Sequence, residues 1–232
     1  MRRYFLLCVL GVGLFTTTTQ KMSADSESHS QLSSEWWQWS LSIPTLVNPM
    51  LDVTGENCMV GQHGPVWFLA GFFFGGTGMR SCSVPDDKSI FFPIANSVNF
   101  NTPNVCGQGP NDISVWDLRE LSRTFVDGVT KASAELDGSP IRDLDRIRSH
   151  VFAIALPEDN VFDSPCTSLG NVPAGIYSPS VDDGLYVKLP PLEEGKHTLH
   201  FHAENASQKF SQDLTYNLIV VHVAAKDRRE ER

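Results

Sequence analysis

Apolar positions along this chain fall in short blocks, and two stretches carry a helical spacing. From Asp112 to Val129, the residues Val115, Leu118, Leu121, Ser122, Phe125 and Val129 trace one apolar-biased stripe while Arg119, Glu120 and Arg123 face outward, which predicts an amphipathic helix. A shorter helix is expected over residues 35–43. Ser33 or Ser34 can cap it, Glu35 suits its first turn and Pro44 stops it. Trp36, Trp39 and Ile43 then share one face, with Trp37 flanking. The near-continuous apolar run from Pro65 to Phe74 predicts a strand buried on both faces, turned at Gly75-Gly76-Thr77-Gly78. That glycine cluster is no phosphate loop, because neither a Lys-Ser/Thr pair nor a helix pattern follows it. Ser81 to Val84 and Ser89 to Ile94 read as strands around the turn signal Pro85-Asp86-Asp87. Residues 95–111, rich in Asn, Pro and Gly, read as a long loop.

The second half of the chain is patterned for β-structure. Ala132 to Ile141 predicts a hairpin, since Asp137-Gly138 supplies the positive φ angles of a two-residue turn. Val151 to Leu156 and Gly184 to Leu189 are further strands, ended by Pro157 and by the turn 190–195. Lys196 to Ala203 and Gln212 to Val223 predict an antiparallel pair. A register with Phe201 opposite Leu214 and Leu199 opposite Tyr216 gathers apolar residues on one face. The same register sends His200, His202, Asp213 and Thr215 to the other. These elements define a mainly β fold, a two-sheet sandwich of immunoglobulin-like or jelly-roll kind with one or two helices packed on it.

Composition agrees. The chain is 41% apolar and 10% aromatic, enough for a substantial core, and its 17 Gly and 14 Pro are spread along its length as many turns require. A net charge of −9, with no dense Lys/Arg cluster away from the termini, argues against nucleic acid as a partner. Residues 1–24 read as a signal peptide: Arg2-Arg3 precedes an apolar run, Tyr4 to Phe15, too short to span a bilayer. The Arg pair also fits a twin-arginine leader, so the export route stays open. No later stretch is apolar for long enough to cross a membrane. Residues 25–34 form a Ser-rich linker, 35–223 a single domain and 224–232 a charged tail. A secreted or periplasmic location follows.

Beyond the leader, the chain carries Cys58, Cys82, Cys106 and Cys166. An even number in an exported chain reads as two disulfides, and three pairings are open. Cys58–Cys82 with Cys106–Cys166 is favoured because each bridge closes a compact block. The blocks Trp36-Trp37-Gln38-Trp39, Gly61-Gln62-His63-Gly64-Pro65-Val66-Trp67-Phe68-Leu69-Ala70-Gly71, Cys82-Ser83-Val84-Pro85 and Gly195-Lys196-His197-Thr198-Leu199-His200-Phe201 resemble an uncharacterised group of exported, signal-peptide-bearing hypothetical proteins, mostly bacterial. The likeness spans 35–223 and implies export and one contiguous domain. It brings no activity, cofactor or site residue with it.

Three kinds of chemistry can be weighed. His200 and His202 lie two apart on a strand, with Cα atoms about 7 Å apart, and Asp213 is their cross-strand neighbour, so the three are candidate ligands of a divalent metal. Asp182-Asp183, Glu193-Glu194, Asp143 and Asp145 could serve acid/base hydrolysis, but adjacent acids before Gly are ordinary turn chemistry. Neither a G-x-S-x-G elbow nor an H-E-x-x-H motif occurs. Binding is the third class. The turn Phe72-Phe73-Phe74-Gly75-Gly76, the loop 96–111 and the tryptophans at 36, 37 and 39 are its candidate contacts, with core packing the commoner role for such rings. The expected function is therefore a disulfide-stabilised, exported binding or envelope-associated protein, with carbohydrate or an envelope component as partner and no required cofactor. The alternative is a secreted hydrolase or metal-dependent enzyme on the same sandwich. Asn205-Ala206-Ser207 is an N-glycosylation acceptor in a eukaryotic source.

Overall fold

The alternation of Leu199, Phe201 and Ala203 with His200 and His202 makes a strand with one dry face and one wet face. In the computed structural model, which describes residues 18–223, that strand (β9, Gly195–Asn205) pairs antiparallel with β10 (Phe210–Val221). Phe201 stands opposite Leu214, Leu199 opposite Tyr216 and His202 opposite Asp213, as the pattern requires. On the other edge of β9 lies β4 (Lys131–Leu136), which turns through Asp137 and Gly138, both at positive φ, into β5 (Ser139–Pro140). The long strand β2 (Gly76–Pro85) runs parallel to β10 and closes this sheet in the order β2-β10-β9-β4-β5.

A second five-stranded sheet is built on β3 (Ser89–Phe100) and β8 (Gly175–Leu189), which pair antiparallel. The short β1 (Val66–Phe68) runs parallel to β3. β6 (Asp145–Arg148) and β7 (Phe152–Leu156) divide the far edge of β8 between them. Ile90, Phe92, Ile94 and Val187 face the first sheet and meet Leu199, Phe201, Leu214 and Tyr216, with the Phe92 and Phe201 rings 5.1 Å apart. Phe91 and Tyr186 point the opposite way, into the tryptophans of helix α1 (Thr18–Ser42). β3 is therefore covered on both faces, which is why it is buried without a break from Ile90 to Ala95. The protein is a two-sheet sandwich with helices on it, as its sequence predicts.

Several boundaries differ from the expectation, each for a tertiary reason. Helix α1 (Thr18–Ser42) already includes the segment read as a linker. Ser33 and Ser34 do not cap it. Their hydroxyls donate back to the carbonyls of Ser30 (3.1 Å) and Gln31 (2.8 Å), and both residues are buried against the sheet. The run from Pro65 to Phe74 is a strand only at β1. Leu69 and Ala70 stay buried, but the chain then leaves the sheet, and Gly76 already opens β2. β3 continues to Phe100, so the loop is shorter than 95–111. Helix α2 (Val115–Asp127) starts at an N-cap where Ser114 Oγ accepts from Asp117 N–H, and it buries Leu118, Ser122 and Val126 while Leu121 is exposed. The leader lies outside the described residues up to position 17, and the tail 224–232 lies outside them altogether. Among the described residues no helix is long and apolar enough to cross a membrane.

Both disulfides form in the favoured pairing, Cys58–Cys82 and Cys106–Cys166. The first ties the turn region before β1 to β2. The second anchors the loop after β3 to the short helix α3 (Asp163–Cys166). Asn205 is not a glycosylation site in this fold, because it is fully buried and its amide donates to Phe125 O at 2.7 Å.

Candidate ligand-binding site

Three tryptophans on one helix bring a problem with them, since each buried indole N–H needs an acceptor. Here each finds one on a different part of the chain: Trp36 on Leu69 O (2.9 Å), Trp39 on Val60 O (2.9 Å) and Trp37 on the Asp182 carboxylate oxygen Oδ1 (2.8 Å). These bonds fix α1 against the sheet and hold two of the rings at the floor of a cavity of about 170 Å³. Trp36 and Trp37 meet edge to face at 4.9 Å. Phe72, Phe73, Phe162 and Phe210 line it as well. Asn96, Ser97 and Gln212 bring amides and a hydroxyl, and among the described residues no ionisable side chain lines the space.

The wall is positioned by tertiary devices. Gln212, buried in β10, accepts from the Phe72 backbone N–H with Oε1 (2.7 Å) and donates from Nε2 to Ile94 O (2.9 Å). Ile94 lies where the β3–β8 register shifts, a bulge that turns the following side chains toward the cavity. A Cβ at Gly71 would sit 2.4 Å from Gln212 Oε1, so any side chain there displaces the Gln212 amide. Arg80 is buried at 1% exposure and spreads its guanidinium over the Phe72 ring at 4.3 Å. Its Nη1 donates to Ala70 O (2.7 Å) and Tyr216 Oη (2.9 Å), while Nε and Nη2 have no hydrogen-bond partner. Phe162 packs edge-on to Phe73 at 5.5 Å, and its carbonyl accepts from the N–H of Cys166, so the second disulfide secures that side.

Behind the floor runs a buried polar chain. Asn96 donates to Tyr186 Oη (3.0 Å), which donates to Asp182 Oδ1 (2.9 Å), where Trp37 also donates. Desolvation pushes the Asp182 carboxyl up to about 8, against the bonds from Trp37 and Tyr186, which favour its charged form. Burial likewise raises the Tyr186 phenol well above its ordinary value. Asp183, next along β8, is held by Arg146 through two bonds (3.0 and 2.9 Å) and by Arg148 (3.2 Å). The acid pair is thus mid-strand and buried, not the turn its sequence suggests. Nothing in local patterning reveals this, because the neutralising partners come from β6 and α1.

The predicted metal ligands do meet. His200 Nε2 lies 3.0 Å from Asp213 Oδ1, and His202 Nδ1 lies 3.4 Å from Oδ2. The His200 imidazole holds the Asp213 carboxyl below its usual range. The trio lies on the face of β9 and β10 away from Leu199, Phe201 and Leu214, and no group among the described residues is arranged to hold a metal ion. The glycine-rich block of the resemblance borders a wider cavity of about 470 Å³ beside Trp39 and Phe68, with His63 and Gly64 exposed at its edge. Within that block Gln62 acts as a staple, donating to Cys58 O and Phe68 O and accepting from Phe68 N–H. Compared with known protein families, curated proteins and solved structures, the chain shows no match.

Proposed function

We propose that this is an exported binding protein that takes one neutral sugar unit into the aromatic cavity. The observation that carries the reading is the lining itself: six aromatic rings, with Asn96, Ser97 and Gln212 among them and no charged side chain among the described residues. Sugar rings offer apolar C–H faces to aromatic rings and hydroxyls to amides, and a charged ligand would find no counterion there. The cavity is small beside the 300–1,000 Å³ typical of drug-sized ligands, which suits one ring at the end of a glycan. Export is supported by the two disulfides, which persist in oxidising compartments.

Calorimetric titration with a panel of neutral methyl glycosides tests this. Phe73→Ala should weaken binding about tenfold, a loss of ~1.4 kcal/mol, and His63→Ala at the wider cavity should leave it unchanged. No saturable binding by any glycoside, or loss in the His63 variant alone, would overturn the assignment.

The alternative, a hydrolase or metal-dependent enzyme, has one observation in its favour: Asp213 lies between two imidazoles on an accessible face. Zinc or copper titration decides it. Binding no tighter than millimolar removes it, and submicromolar binding lost in His202→Ala establishes it.

A further inference from the structure

A separate cavity of about 160 Å³ opens where α2 faces β6 and β8. Arg119 and Arg123 reach it from α2, Arg148 from β6, and Asp182 and Asp183 from β8. Two of its three guanidinium groups are already engaged. Arg123 is paired with Glu120 (2.7 Å) and with Asp127, and Arg148 with Asp183 (3.2 Å). Arg119 makes no ion pair among the described residues and is only partly exposed. At the floor, Asp182 is 1% exposed and its Oδ2 has no hydrogen-bond partner.

We propose that this cavity binds an oxyanion, a carboxylate or a sulfate group, with Arg119 as its ionic partner and Trp116 as a flanking ring. The free guanidinium offers the planar fork that such groups accept in pairs of bonds. Counting the groups paired around it, four guanidinium groups (Arg119, Arg123, Arg146 and Arg148) stand against the carboxylates of Glu120, Asp127 and Asp183, leaving one surplus positive charge while Asp182 keeps its proton. Desolvation favours that protonated state. Ser33 also lies within hydrogen-bond reach of the Asp182 carboxyl, so the ionic pairing falls to Arg119 rather than to Asp182. Trp116, 69% exposed at the rim, adds an aromatic face that a free sulfate cannot use and an acidic sugar can. The site does not depend on the neutral cavity being a sugar site.

Sodium sulfate and sodium glucuronate, titrated at constant ionic strength near pH 6 and followed by tryptophan fluorescence and calorimetry, test the proposal. At least one should saturate. Arg119→Ala should weaken binding about tenfold or more, while Arg119→Lys retains part of it. Trp116→Ala should reduce affinity for glucuronate and spare that for sulfate if the ligand is an acidic sugar, and spare both if it is a free oxyanion. Phe73→Ala should change neither, which separates this site from the aromatic cavity. No saturation by either anion up to about 50 mM, or equal binding by Arg119→Ala, would overturn it.

Discussion

Asp182→Asn replaces a carboxyl kept neutral by burial with an amide of nearly the same shape. The wild-type side chain is 1% exposed, and desolvation lifts its pKa from an ordinary 3.8 to about 8. Between those values the folded protein holds a proton that the unfolded chain has released, so stability falls as pH rises through the window. The slope is about 1.4 kcal/mol per pH unit, and roughly 6 kcal/mol across the window is its upper bound. The amide titrates nowhere in this range, and its oxygen can still accept from Trp37 and Tyr186. Among the described groups with a shifted pKa, one other enters the window. Asp137 raises the His197 pKa, so His197 contributes stability that is full below its unfolded value and is lost as pH rises through its folded one. That decline is common to both proteins and cancels in their difference. Asp127, lowered by Arg146, and Asp213, lowered by His200, contribute stability lost only on acidification through their own low values. Urea unfolding followed by tryptophan fluorescence, at several pH values from about 5 to 9, measures the difference directly. The variant's advantage should be small at the acid end and grow to several kcal/mol by pH 8. A difference that stays constant with pH would refute the buried, protonated carboxyl.

Other substitutions probe the cavity wall. Gln212→Ala leaves the Phe72 N–H and the Ile94 carbonyl without partners in a buried place, and should cost about 3 kcal/mol or more in urea unfolding. Replacing Cys106 and Cys166 by Ser opens a loop with a sequence separation of 60 and should cost roughly 4 kcal/mol on the chain-entropy account. The same variant should bind neutral glycosides more weakly, because Phe162 loses its anchor; equal affinity by calorimetry would show that the wall does not need the bridge. Arg80→Ala removes the cation over Phe72 and two buried hydrogen bonds, and it should lower both thermal stability and glycoside affinity.

What could be read from the chain and what could not divide along physical lines. The β9–β10 register was legible because Leu199 and Phe201 alternate strictly with histidines, and a slip by one residue would expose them. The turn at Asp137-Gly138 was legible because two consecutive positive φ values leave few choices of residue. The apolar run from Pro65 to Phe74 misled because its second half is shaped by Gln212, some 140 residues away, rather than by strand pairing. Asp182 and Asp183 looked like a turn because acids before Gly usually are one, and only the fold brings Arg146, Arg148 and Trp37 to them. Of the site, Phe72, Phe73 and the tryptophans were candidates from the start. Arg80, Gln212 and Phe162 were not, since a buried Arg within a glycine-rich strand has no local signature.

The reading rests on a neutral ring ligand seated against the α1 tryptophans. Protein-observed NMR during titration with the best neutral glycoside addresses it directly, through the indole N–H signals of Trp36 and Trp37 and the side-chain amides of Asn96 and Gln212. These signals should shift together and saturate, while those of Trp116 and the His200–His202 face stay in place. Shifts confined to residues outside the aromatic cavity, or none at all with any neutral sugar, would contradict it.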